Sequence, residues 1–158
     1  MPLRTETYNL ADEVERIEGE LTDLGEEAAG YEPDTPHFER AENTAQQLYF
    51  HLEGLQWALD EWDVETVELG ALSAGEYALM DKHISDSSSQ QQRRNVFVGV
   101  ATVDAPYVGE TPQATVEAVA DTCHPYYTRW AESRANKLLR GDSGNTNPFY
   151  ESLAENQD

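Results

Sequence analysis

Apolar residues recur in alternating steps of four and three along most of the first sixty positions, and no other feature constrains the fold of this chain as tightly. The first run is Leu10, Val14, Ile17, Leu21, Leu24 and Ala28; the second is Phe38, Ala41, Ala45, Leu48, Leu52, Leu55, Leu59 and Trp62. Such alternation is a heptad seam, the signature of a helix that lays one narrow apolar stripe against another helix. Between the runs, "GYEPDTP" (residues 30–36) carries two prolines, and neither can continue a helix. Asn9 is placed to cap the first helix, with Asp12 as a first-turn acid, and Thr35 with Pro36 reads as the N-cap and first position of the second. Two helices with matching seams and a short connection fold back as an antiparallel pair.

The second helix has an apolar row too many. In "QLYFHLEGLQWALDEW" (residues 47–62), Phe50 and Trp57 fall roughly 180–200° away from Leu48, on the side opposite the seam, with Gly54 between them. An amphipathic helix needs only one apolar face. Either the C-terminal half of the same chain covers this second row and completes a three- or four-helix core, or Phe50 and Trp57 form an aromatic hot spot for another protein. The polar side of the first helix is almost wholly acidic, contains Gly19 and Gly25, and is expected to face water.

The 158 residues carry 31 acids against 10 bases, a formal charge of −21. That excess works against nucleic acid or an anionic membrane as partner, since both demand a positive face. Only two bases are lysines, and mean hydropathy is −0.69, low for a chain with such regular apolar rows. The combination suits the cytoplasm of a halophile, where molar salt shortens the screening length to about 3 Å and relieves self-repulsion. Acidity of this kind also occurs in disordered chains, but the apolar periodicity argues for a folded one. Cys123 stands alone, so no intramolecular disulfide forms. Acids within the first dozen residues and the lack of a long apolar run give no sign of a signal peptide or membrane span, and a soluble, intracellular protein is expected.

Charge thins after Trp62: residues 1–63 hold 17 acids and three bases, residues 64–158 hold 14 and seven. A boundary is placed near Asp63, giving a hairpin over 1–63, a helical body over 64–141, and a C-terminal loop with a short helix over 142–158. "VETVEL" (64–69) alternates as a short strand would. Ser73 followed by Glu76 makes a capping box for a helix over about 74–84. "SDSSSQQQRR" (85–94) lacks apolar residues and reads as a loop or a helix start. "NVFVGVATVDAP" suits a buried helix or a strand; helix is preferred, because no strand partner is evident elsewhere. Thr111 and Pro112 cap a helix bearing Val116, Val119, Ala120 and Cys123, and Pro125 kinks or restarts it before Tyr127, Trp130, Ala131 and Leu138. Gly141 closes that helix, and Asn147 with Pro148 starts the last one.

Chemistry is harder to find. His37, His51, His83 and His124 have no zinc-ligand spacing, no nucleophile elbow or phosphate-binding loop is present, and Cys123 with His124 would diverge by about 100° on a helix. Acid pairs such as Glu26–Glu27 and Asp60–Glu61 read as hydrated surface. No catalytic, metal or cofactor residue is assigned, and an enzyme is not expected. The residues assigned to partner binding are Tyr49, Phe50, Trp57, Tyr126, Arg129 and Tyr150, aromatic or cationic side chains off or beside the apolar rows.

At "ELGALSAGEYALMDKHI", "RRNVFVGVATVDAPY", "VEAVADTCHPYYTRWAESRANKL" and "NPFYESLAE", the chain resembles tail assembly chaperones of long-tailed viruses, in particular those infecting haloarchaea. The likeness spans about residues 64–155; the N-terminal hairpin lies outside it. It implies a mainly helical, cofactor-free, non-enzymatic protein made in the host cytoplasm, which binds the tape-measure protein during tail assembly and recruits tail-tube subunits. The alternatives are a virion subunit of the neck, tail or baseplate, oligomeric through the hairpin, or a general helical interaction protein of a halophile. The expected fold is therefore mainly α: an antiparallel hairpin, then a small helical domain with at most a short strand or two.

Overall fold

The computed structural model describes residues 2–140, of which 68% lie in six helices that pack with one small antiparallel sheet. In chain order the elements are β1 (Arg4–Asn9), α1 (Leu10–Ala28), α2 (Pro36–Glu61), β2 (Thr66–Ala71), α3 (Ala74–His83), α4 (Gln90–Ala101), β3 (Thr102–Asp104), α5 (Pro112–Thr122) and α6 (Pro125–Arg140). The sheet has three strands rather than at most two, in the order β1-β2-β3. β1 pairs with β2 from Arg4 opposite Ala71 to Asn9 opposite Thr66, and β3 pairs on the other side of β2, with an irregularity at Glu68/Leu69.

Local chemistry sets most helix ends. The Asn9 side chain accepts the Asp12 N–H, and Thr35 accepts that of Phe38 with Pro36 at the first position. Ser73 and Glu76 form the reciprocal capping box, and Ser89 with Gln92 forms a second one that starts α4 inside the supposed loop. Pro125 restarts the helix instead of kinking it: Cys123 and His124 lie between α5 and α6, and the His124 Nδ1 accepts the Tyr126 N–H at 3.0 Å as the cap of α6.

One expectation fails at the strands. "RTETYN" becomes β1 although Arg4 to Thr7 are all exposed, so the alternation that advertises a half-buried strand is missing. In "NVFVGVATVDAP" the preferred helix runs through Ala101, and Thr102–Asp104 then forms β3 against β2, the short strand expected over 64–69. Packing runs across the boundary placed near Asp63. β1 pairs with β2 across it, α2 packs on α6, and a single buried cluster joins Leu10, Ile17, Leu55 and Ala58 to Val67, Leu69, Val98, Tyr127 and Trp130.

α1 and α2 pack together. The alternating positions are unequally enclosed: Leu10, Ile17 and Leu55 are fully buried and Ala41 nearly so, whereas Val14, Leu21, Leu24, Ala28, Phe38, Ala45, Leu48, Leu52, Leu59 and Trp62 are half-buried. No helix among the described residues is long and apolar enough to cross a membrane. The proposed C-terminal loop and short helix over 142–158, including Tyr150, lie outside the described residues.

Candidate protein-interaction site at the crossing of α2 and α6

The second row of α2 meets α6, and Gly54 lets it. A β-carbon at Gly54 would sit 2.2 Å from the Tyr127 backbone nitrogen and 2.4 Å from the Tyr126 carbonyl carbon, so only glycine allows the two backbones this close. On either side of that contact the rings fit into the angle between the helices. Phe50 stacks on Tyr126 with centroids 4.5 Å apart, and Trp57 packs against Trp62 (5.3 Å), His124 (5.8 Å) and Tyr127 (6.4 Å). Phe50, Trp57 and Tyr126 are thus half-buried within their own chain, which corrects the expectation that they stand exposed. The apolar area they hide was recruited by the C-terminal half, one of the two readings that the sequence left open.

A polar rim remains outside this stack. The Arg129 guanidinium lies over Phe50 at 4.8 Å from the ring centre and 5.5 Å from that of Tyr126, a cation–π arrangement. Its Nε is buried and has no hydrogen-bond partner. Tyr49, one position before Phe50, is 55% exposed. Next to it His51 is half-buried, and burial, then the nearby Arg16, Arg129, Lys137 and Arg94, hold its imidazole down to about 4. Two of these bases are themselves neutralised, Arg16 by Glu13 and Glu20 and Arg94 by Glu132. The surface where α2 crosses α6 therefore presents stacked rings with one guanidinium, that of Arg129, laid over them. Of the six residues assigned to partner binding, Phe50, Tyr126 and Arg129 stack together, Trp57 packs beyond Gly54 against His124 and Tyr127, Tyr49 is exposed on α2, and Tyr150 lies outside the described residues.

Beneath the patch sits a residue that sequence reasoning missed. Glu13, on the supposedly hydrated side of α1, is 6% exposed. Its carboxylate accepts the Trp130 indole N–H at 3.0 Å and two bonds from Arg16 at 3.0 and 3.2 Å. Arg134 Nε also approaches to 3.0 Å, but its N–H is not aimed at the oxygen, so we treat that contact as charge attraction without a hydrogen bond. The same Arg134 lies over the Tyr8 ring at 4.8 Å, and Tyr8 meets Trp130 edge-on. A buried indole needs an acceptor and a buried carboxylate needs cations, so β1, α1 and α6 are tied at one point. Only the aromatic demand was visible beforehand, in Trp130 on an apolar row.

A second buried chain fixes α6 to α4. Thr102 Oγ1 donates to the Val98 carbonyl at 2.7 Å, which spends its only proton. Tyr107 must then donate to Thr102, and Tyr127 to Tyr107, at 2.7 and 2.8 Å. Burial raises both phenols, Tyr127 well above its ordinary value, so they stay neutral donors. Cys123 is half-buried and burial pushes its thiol up to about 12, which suppresses the thiolate at neutral pH. Among the described residues no group of three or more His, Cys, Asp or Glu side chains is arranged to hold a metal ion. Comparison with protein-family models, curated proteins and solved structures finds no match for this chain.

Proposed function

We propose that the chain is a non-enzymatic viral morphogenesis protein, a tail assembly chaperone that binds the tape-measure protein, and that its docking surface is the patch where α2 crosses α6. The observation that carries the surface is the Arg129 guanidinium laid over the stacked, half-buried rings of Phe50 and Tyr126, with the exposed Tyr49 on the same helix as Phe50. A tape measure is a long helix whose apolar side must be shielded before the tube forms around it. Flat rings beside a delocalised cation suit the apolar side and acidic flank of such a helix, and aromatic and arginine side chains are the usual anchors of protein interfaces. The resemblance over residues 64–155 supports the identity of the partner, as it does the recruitment of tail-tube subunits.

In this reading α1 and α2 work as an antiparallel hairpin with a heptad seam, an acid-coated arm that keeps the complex in solution in a high-salt host cytoplasm. Co-expression with a tape-measure fragment tests the proposal. The fragment should stay in the soluble fraction at molar salt only when this protein is present, and Arg129→Glu with Tyr49→Ala should lower that fraction severalfold. Equal solubility with and without the protein would overturn it. Recovery of the chain from purified particles at fixed stoichiometry would replace it with the virion-subunit reading.

A further inference from the structure

We propose that the outer edge of β1 pairs with β1 of a second copy of this chain, in a two-fold register centred on Thr5 that joins two three-stranded sheets into one of six strands. Among the described residues β1 has one neighbour, β2, so its other edge is open. Arg4, Thr5, Glu6 and Thr7 are all exposed, and Leu3 before them is 71% exposed. Edge strands are ordinarily blunted by charged side chains, proline within the strand or a bulge. β1 has no proline between Arg4 and Asn9, its charges are one of each sign, Arg4 and Glu6, and the irregularity at its start, where Leu3 N–H also donates to the Ala71 carbonyl at 2.9 Å, lies before Arg4.

The register of β1 decides which backbone groups are free. Arg4, Glu6 and Tyr8 stand opposite Ala71, Leu69 and Val67, and the ladder continues with Leu10 N–H donating to the Glu65 carbonyl at 2.8 Å. In antiparallel pairing, alternate residues exchange hydrogen bonds with a given neighbour. Even-numbered residues therefore bond to β2, and the N–H and C=O of Thr5 and Thr7 point to the open side. With Thr5 placed opposite Thr5 of the second copy, those two residues exchange two bonds, and each Thr7 N–H reaches the carbonyl of the opposite Leu3.

Side chains select the same register. Arg4 then faces Glu6 of the second copy, and Glu6 faces its Arg4, in the positions between hydrogen-bonded pairs where side chains come closest. Symmetry makes every such contact occur twice. Within one chain Glu6 spends only one oxygen, Oε2, which accepts the Tyr8 hydroxyl proton at 3.3 Å, so the other is available to arginine. Centring on Thr7 instead would set Glu6 against Tyr8, whose ring is turned into the core at 5% exposure. A second copy thus matches the edge in backbone and in charge. The formal charge of −21 on each chain opposes the approach in dilute buffer and is screened at molar salt, where a pair in contact, at a separation near the screening length of about 3 Å, is weakened less than the long-range repulsion. This interface uses neither α2 nor α6, so its failure would leave the partner-binding proposal standing.

Sedimentation equilibrium of the full chain in about 1 M KCl, where the screening length of about 3 Å damps the net charge but is comparable with the separation of a contact pair, tests the proposal. The protein should dimerise. Arg4→Glu, which sets like charges opposite each other twice, should weaken the dimer by about tenfold or more, and Arg4→Glu with Glu6→Arg should restore it. Far-ultraviolet circular dichroism should be the same for all three proteins. A wild-type chain that stays monomeric over the whole concentration range, a dimer that Arg4→Glu leaves unchanged, or a double variant no tighter than the single one would each overturn the proposal.

Discussion

The two ends of α2 carry the same apolar alternation and meet different fates. Near its C-terminus Leu55 is wholly enclosed while Leu52, Leu59 and Trp62 are half-buried; toward the other end Ala41 retains slight exposure and Phe38, Ala45 and Leu48 are half-buried. At the far end Tyr31 stacks on His37 at 5.3 Å and donates to Glu27 at 3.1 Å, above an open cleft of about 200 Å³. At the near end α6 closes over Phe50, Gly54 and Trp57, and the sheet stands behind. Two helices shield one stripe from water; full exclusion takes a third layer. The seam describes where helices can touch, and the number of neighbours determines what the touch contributes.

That contrast breaks most sharply at Gly54. Gly54→Val should cost about 3 kcal/mol or more, because its side chain must occupy the space of the α6 backbone and α6 has no room to retreat. Urea unfolding at molar salt would measure it, and a cost under about 1 kcal/mol would mean that the two helices can slide apart freely. Glu13→Leu comes next, at about 3 kcal/mol, since the buried Trp130 N–H loses its acceptor, Arg16 keeps only Glu20 and Arg134 loses its neighbouring charge. Glu13→Gln should lose less, because an amide oxygen still accepts the indole proton.

The paired truncations Trp57→Ala and Phe38→Ala compare the ends directly. We expect about 2–3 kcal/mol at Trp57 and about 1 kcal/mol at Phe38, both below the range for fully enclosed rings. Equal costs would show that α1 protects its end of the row as well as α6 protects the other. Gly25→Ala reverses the sign. Nothing lies within 4 Å of a β-carbon there, so the substitution should stabilise by roughly 0.5–1 kcal/mol, where the same change at Gly54 destabilises.

The last effect is one of pH. His51 titrates at about 4 when folded and near 6.5 when unfolded, so the unfolded chain takes up the proton first as pH falls. Its contribution is complete above pH 6.5 and disappears as pH drops toward 4. The difference in Tm between the native protein and His51→Gln should therefore change across that window; a constant difference would place His51 in water.

Legibility in the sequence follows the distance over which each feature is encoded. The caps at Asn9, Thr35, Ser73 and Thr111 and the restart at Pro125 were readable, because each helix end is fixed by side chains three or four residues away. The start of α4 was missed as a definite end, although Ser89 and Gln92 spell the same box, since the polar run hid it. For the candidate site, Phe50, Trp57, Tyr126 and Arg129 were singled out correctly as side chains on or beside a second face. Their mutual stacking was not legible, because no local signal states which helix covers that face.

By itself the sequence determined the helices, their turns and the acidic character of the surface, all of them products of spacing, capping and composition. Tertiary structure alone decided that RTETYN is a strand, that Glu13 is buried, and that α6 covers the second row of α2. The bond from Trp130 to Glu13 spans 117 positions, and β1 finds β2 more than fifty residues away. Such pairings depend on complementary surfaces meeting after the helices exist, and periodicity within one segment carries no information about its distant partner.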